Sequence, residues 1–162
     1  MSEFRIEKSR AEAALTLTTG ATVRGCFFLS GSSPTHAPER IADLLNAETG
    51  FFPFELHGNE APHTVLYNRT QLLLVALLEG TREADEAQLA PDYSIARERG
   101  VRILLSNGHS VEGLVRVHRP SGRDRLSDYA RQPETFRYVE TPGGTVIVNA
   151  DHIVEFRETS EA

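Results

Sequence analysis

Residues 15–29, LTLTTGATVRGCFFL, and residues 103–117, ILLSNGHSVEGLVRV, read as one stretch written twice. Gly20 and Gly25 match Gly108 and Gly113, and Val23 matches Val111, all 88 residues apart. The likeness continues downstream in the same order. RIADLLN (40–46) matches RLSDYAR (125–131), and Phe51-Phe52-Pro53-Phe54 matches Phe136-Arg137-Tyr138-Val139, both at 85 residues. LYNRTQLLLV (66–75) matches IVNADHIVEF (147–156) at 81. Ordered blocks whose offset shrinks through shorter loops are the mark of a duplicated unit.

Each unit follows one physical plan. Leu15 and Leu17 alternate with threonines, the period-2 pattern of a half-buried strand. Thr19-Gly20 and Asn107-Gly108 are turn signals, Asn-Gly being the strongest short hairpin signal. Gly25 and Gly113 fall inside the strands that follow, where glycine marks a bulge or a tight bend. Residues 40–46 predict a two-turn helix with Ile41, Leu44 and Leu45 on one face. Three more strands complete the first unit, at 51–56, 64–67 and 71–77. Their counterparts lie at 135–140, 145–148 and 152–157, with Pro-Gly-Gly as the turn between the first two. The organisation is mainly β: a first unit at 1–78, a partly helical linker at 79–100 rich in charge and alanine, and a second unit at 101–162.

A strand, a turn glycine, a Val-x-Gly strand, a loop, then two strands about a short polar turn resembles the Sm-like small β-barrel. Residues 15–29 and 103–117 resemble the family's first motif. Tyr67-Asn68-Arg69-Thr70-Gln71-Leu72 and Val148-Asn149-Ala150-Asp151-His152-Ile153 stand where its second motif stands. The resemblance covers about 120 of the 162 residues. It implies a tandem of two five-stranded barrels, each with a short inserted helix where the family has a loop. It is to a bacterial type without the usual RNA-pocket motifs: neither the Arg-Gly of the eukaryotic motif nor the Tyr-Lys-His of the bacterial RNA chaperone is present.

Composition bounds the function. The 162 residues carry a net charge of −6, which argues against a partner that is a polyanion held by bulk charge. The longest apolar run, 72–78, is far short of the roughly 20 residues of a membrane helix. The N-terminal MSEFRIEKSR lacks an apolar signal core, so the expected location is the cytoplasm, and the single cysteine, Cys26, fits a reducing compartment.

Chemistry-bearing residues are sparse. His57 and His63, six apart with Glu60 between them, match no metal-ligand template. Cys26 sits in a strand between apolar residues, opposite Leu114 in the other copy, and reads as a packed thiol. Asp43 and Asp128 each follow an arginine by three residues, as a structural pair on a short helix does. No catalytic residue, cofactor or metal ligand is assigned. The residues singled out for binding are the two turn asparagines, Asn68 and Asn149, and the basic loop Arg116, His118, Arg119, Arg123 and Arg125. Asparagine fixes a tight turn by accepting from the backbone two residues on. Residues 101–131 carry six arginines against three acids, whereas residues 1–100 carry nine basic and fourteen acidic groups, a polarity compatible with a partner bound on one face or with head-to-tail assembly of like chains. The expectation is a non-enzymatic scaffold acting through protein–protein contacts and β-edge self-association. The alternative is RNA or nucleotide binding through the basic loop and the asparagine turns.

Overall fold

Period-2 alternation and turn residues set the strands, and the order in which those strands pair sets everything else. A computed structural model describes residues 8–31, 38–78, 83, 97–117 and 130–159. Its elements are β1 (Lys8–Leu17), β2 (Thr22–Ser30), α1 (Ile41–Ala47), β3 (Phe51–His57), β4 (His63–Asn68) and β5 (Leu72–Leu77). They continue with β6 (Arg97–Leu105), β7 (Ser110–Val117), β8 (Phe136–Thr141), β9 (Gly144–Asn149) and β10 (Ile153–Glu158). Single 3₁₀ turns at Arg69–Gln71 and Ala150–His152 link β4 to β5 and β9 to β10. β6 starts inside the stretch 79–100 that the sequence reads as linker. All but the last two residues, Ala130 and Arg131, of the second predicted helix (125–131) and most of the basic loop lie outside the described residues. No helix among the described residues is long and apolar enough to cross a membrane.

The mainly β class is as expected. In place of the two separate five-stranded barrels expected, the strands form one open, ten-stranded antiparallel sheet in the order β10-β6-β7-β8-β9-β5-β1-β2-β3-β4, because β5 of the first half pairs with β9 of the second. The first half reads β5-β1-β2-β3-β4 and the second β10-β6-β7-β8-β9, so both run fifth-first-second-third-fourth. Irregularities coincide as well. Thr16 faces Leu74 and Leu17 faces Leu72, leaving Leu73 as an extra residue; Leu104 faces Glu155 and Leu105 faces Ile153, leaving Val154 extra. Bulges of this kind shift a strand's phase between faces.

Gly25 and Gly113 owe their place to close approach. A Cβ on Gly25 would stand 1.8 Å from the Glu55 carbonyl oxygen, and one on Gly113 2.1 Å from that of Glu140. Both keep ordinary φ; the left-handed glycines among the described residues include Gly20 and Gly108, in the turns before β2 and β7.

Two apolar cores lie on the sheet. The first is aromatic and packs Phe27, Phe52 and Phe54 with Leu15, Leu72 and α1's Ile41 and Leu45. Phe27 stacks on Phe52 at 5.4 Å and meets Phe54 edge-on at 5.1 Å. The second is aliphatic, built from Val101, Ile103, Leu105, Val115, Val139 and Val148. Each core borrows from the other half: Phe136 and Ile147 pack into the first, Leu73 into the second. A strand apolar on both faces is the signature of burial on both sides, and β5 (LLLVAL) and β9 (GTVIVN) are such strands.

Candidate functional site

The two halves meet where β5 pairs with β9, in the register Leu74↔Val148, Val75↔Ile147 and Ala76↔Val146. Three polar links reinforce this joint. The Asn149 side chain is 1 % exposed; its Oδ1 accepts from the Asp151 backbone N–H at 2.9 Å, which holds the 3₁₀ turn. Its Nδ2 donates across the joint to the carbonyls of Leu72 (2.8 Å) and Arg69 (3.4 Å). Asn46, in α1, makes a two-way bond with the Phe136 backbone, donating at 3.0 Å and accepting at 2.8 Å. The buried Glu83 carboxylate accepts from the backbone N–H groups of Ile41 (2.7 Å) and Ala42 (3.0 Å) and from the Tyr138 hydroxyl (2.7 Å). It thereby ties α1 to β8. Burial, and then the Glu83 charge, push the Tyr138 hydroxyl far above its ordinary pKa.

Asn68 makes the same turn as Asn149, accepting from the Thr70 backbone N–H at 3.0 Å. His152 and Gln71 also correspond. Ser106 Oγ lies 2.8 Å from His152 Nδ1, and Thr18 Oγ1 donates to Gln71 Oε1 at 2.6 Å. His152 Nε2 reaches further, to the Thr70 carbonyl across the joint, so the ring proton belongs on Nε2. The turn chemistry read from both asparagines is thus present. Asn149 has in addition a bridging role that its spacing could not reveal.

At the two ends of the sheet lie β4 and β10, each paired on one side among the described residues. Phe51 and Leu66 are each 62 % exposed, and Val154 is 64 % exposed. These are the counterparts, at the offsets of the sequence repeat, of Phe136, Ile147 and Leu73, which are 4 %, 0 % and 0 % exposed. The side chains that seal the internal joint therefore recur, uncovered, at the outer edges.

Arg116 falls in β7, where its backbone faces Glu98. Its side chain lies outside the described residues, as do His118, Arg119, Arg123 and Arg125. Two arginines that the sequence did not flag are buried. Arg69 donates to the carbonyls of Phe51 (2.8 Å), Leu44 (3.0 Å) and Thr49 (3.4 Å), with its guanidinium 5.7 Å from the Phe52 ring centre. Burial lowers its pKa. Arg137 donates to Glu134 (2.6 Å), Gln132 (2.6 Å) and Ala130 (3.3 Å). Both fasten the segment leading into the third strand of their half.

His57 and His63 flank the β3–β4 turn but engage different partners: the His57 ring meets Glu55 at 2.9 Å and the His63 ring meets the Ala61 carbonyl at 3.2 Å. His57 instead lies with Glu55 and Cys26, one ligand atom from each within 4.8 Å of the others. Cross-strand register brings them together, since Cys26 faces Glu55. Burial raises the Cys26 thiol pKa, and the charges of Glu12 and Glu55 push it the same way. No protein-family model matches the chain, and neither a curated protein nor a solved structure matches it.

Proposed function

We propose that the chain is a self-assembling scaffold, built from two Sm-like modules in tandem, whose copies join head to tail by pairing β10 of one with β4 of the next. One observation carries this reading: Leu66 and Val154 on the edge strands, and Phe51 on β3 beside β4, are exposed where their counterparts Ile147, Leu73 and Phe136 are buried in the internal joint. Monomers rarely leave large apolar side chains gathered at an open strand edge, because such edges template pairing with other chains. The common strand order and the common bulges of the two halves support the tandem.

The internal joint sets the register of the outer one. Carrying the offset of 81 residues across, Val75↔Ile147 becomes Phe156 of one copy against Leu66 of the next. The flanking pairs become Glu155 against Tyr67 and Arg157 against Val65. The outer joint is the weaker of the two, because β10 carries Glu155 and Arg157 where β5 has Leu74 and Ala76. Fully burying one such apolar side chain contributes about 1.5–3 kcal/mol, so one polar substitution shifts the assembly measurably. Light scattering behind size exclusion, over a concentration series, tests the reading. The expected mass rises above 17.9 kDa with concentration, and Leu66→Glu holds the chain at 17.9 kDa. A strict monomer at every concentration overturns it.

A further inference from the structure

We propose that Cys26, Glu55 and His57 form a site for one divalent metal ion of the zinc class, on the sheet face opposite the aromatic core. Phe27 and Phe54 face each other across β2 and β3 and pack into that core. Their neighbours Cys26 and Glu55 alternate to the other face. Cys26 is 4 % exposed yet belongs to neither apolar core.

Sulfur, imidazole nitrogen and carboxylate oxygen are zinc's three donor types. The three donor atoms lie within 4.8 Å of one another. A tetrahedral ion at about 2.0–2.3 Å from each requires separations of roughly 3.3–3.8 Å, so small side-chain rotations close the site. The backbone beneath is fixed, since Gly25 lets β2 approach the Glu55 carbonyl more closely than any side chain permits.

The local field favours a cation. Glu12 faces Cys26 from β1 as Glu55 does from β3, and both carboxylates act against formation of a bare thiolate. An arriving ion removes that conflict. The S–H bond breaks, its electron pair stays on sulfur to form the S–metal bond, and the proton passes to water. A cleft of about 350 Å³ lined by Glu12, Arg24, Gly25 and His57 adjoins the three donors, and Glu12 or a water would supply a fourth ligand. Two cations compete with the ion: Arg10, whose Nη2 lies 3.3 Å from Glu55, and Arg24, which faces His57 from β2 and lines the same cleft. The second half has Leu114, Glu140 and Pro142 at the matching positions, so one site per chain is expected.

The test titrates the full chain with Co²⁺ and then Zn²⁺. The expected result is one Co²⁺ per chain with a thiolate-to-metal charge-transfer band that Zn²⁺ abolishes. Cys26→Ser removes the band. His57→Asn, at a surface position that leaves the fold intact, weakens Zn²⁺ binding by about tenfold or more. Arg10→Gln strengthens it. Absence of the thiolate band in a chain that circular dichroism finds folded overturns the proposal, as does unchanged Zn²⁺ affinity in His57→Asn.

Discussion

Phe51 and Phe136 hold the same place in the two halves, yet Phe136 is 4 % exposed, inside the first core, and Phe51 is 62 % exposed. The difference comes from what lies beside them. Phe136 begins β8, next to β9, and β9 is covered by β5. Phe51 begins β3, next to β4, which is covered by nothing among the described residues. The same contrast separates Ile147 from Leu66.

The register of the outer joint is the first testable consequence. Residues directly opposite in an antiparallel pair have Cα atoms about 4.5–5.5 Å apart, within disulfide range. Leu66→Cys combined with Phe156→Cys, in a Cys26→Ser background, is expected to give ladders of cross-linked copies on non-reducing gels. Leu66→Cys combined with Glu158→Cys places the thiols two positions out of register and is expected to give none. Equal ladders from both pairs would exclude the register.

Asn149 and Asn68 make the same turn but carry different loads. Asn149→Ala loses the turn bond and both bonds across the buried joint, to the Leu72 carbonyl and to the Arg69 carbonyl, which keeps the Leu72 N–H, a cost of about 2–3 kcal/mol. Asn68→Ala loses the turn bond and the Thr70 hydroxyl bond at a half-buried position with no link across the joint, about 1 kcal/mol. Urea denaturation reads both. A single cooperative transition is expected for the native chain, because each core contains side chains of the other half. Equal costs for the two asparagines would remove the bridging role given to Asn149.

Local features were legible in the sequence and the joint was not. The two hairpin turns, the first helix and the strand positions follow from turn residues and short-range periodicity, which neighbours in sequence decide. Residues 72–77 carried the signal of burial on both faces, but an apolar run does not say which strand covers it. Nor does spacing place Cys26 beside His57: they stand 31 positions apart, and only the β2–β3 register joins them. Arg69 and Arg137 went unread for a related reason. A buried arginine is defined by the carbonyls it collects, and those come from the fold.

Gly25 and Gly20 test two different reasons for glycine. In Gly25→Ala the new Cβ meets a backbone oxygen that cannot rotate away, so β2 and β3 must part, at a cost of about 3 kcal/mol or more. Gly20 has open space around it but φ +91°, so Gly20→Ala costs the left-handed backbone alone, about 1–2 kcal/mol. Gly113→Ala is expected to behave like Gly25→Ala, and Gly108→Ala like Gly20→Ala. Thermal melts that rank the four otherwise would reject the close-approach account.

Tyr138 gives the protein an alkaline limit. Burial and Glu83 hold its hydroxyl protonated in the folded chain above its ordinary value of 10.0. In the unfolded chain the same group ionises near that value. Its contribution is therefore fully present below about pH 10 and is lost as pH rises beyond it, because the unfolded state gives up the proton first. Tyr67 and Cys26, also raised, act in the same direction. Urea midpoints of the native chain are expected to fall steeply above about pH 10. Tyr138→Phe lowers stability at neutral pH by about 1 kcal/mol through loss of the Glu83 bond, and its midpoint falls less with pH. An identical pH slope in Tyr138→Phe and the native chain would mean that the hydroxyl is not held protonated between α1 and β8.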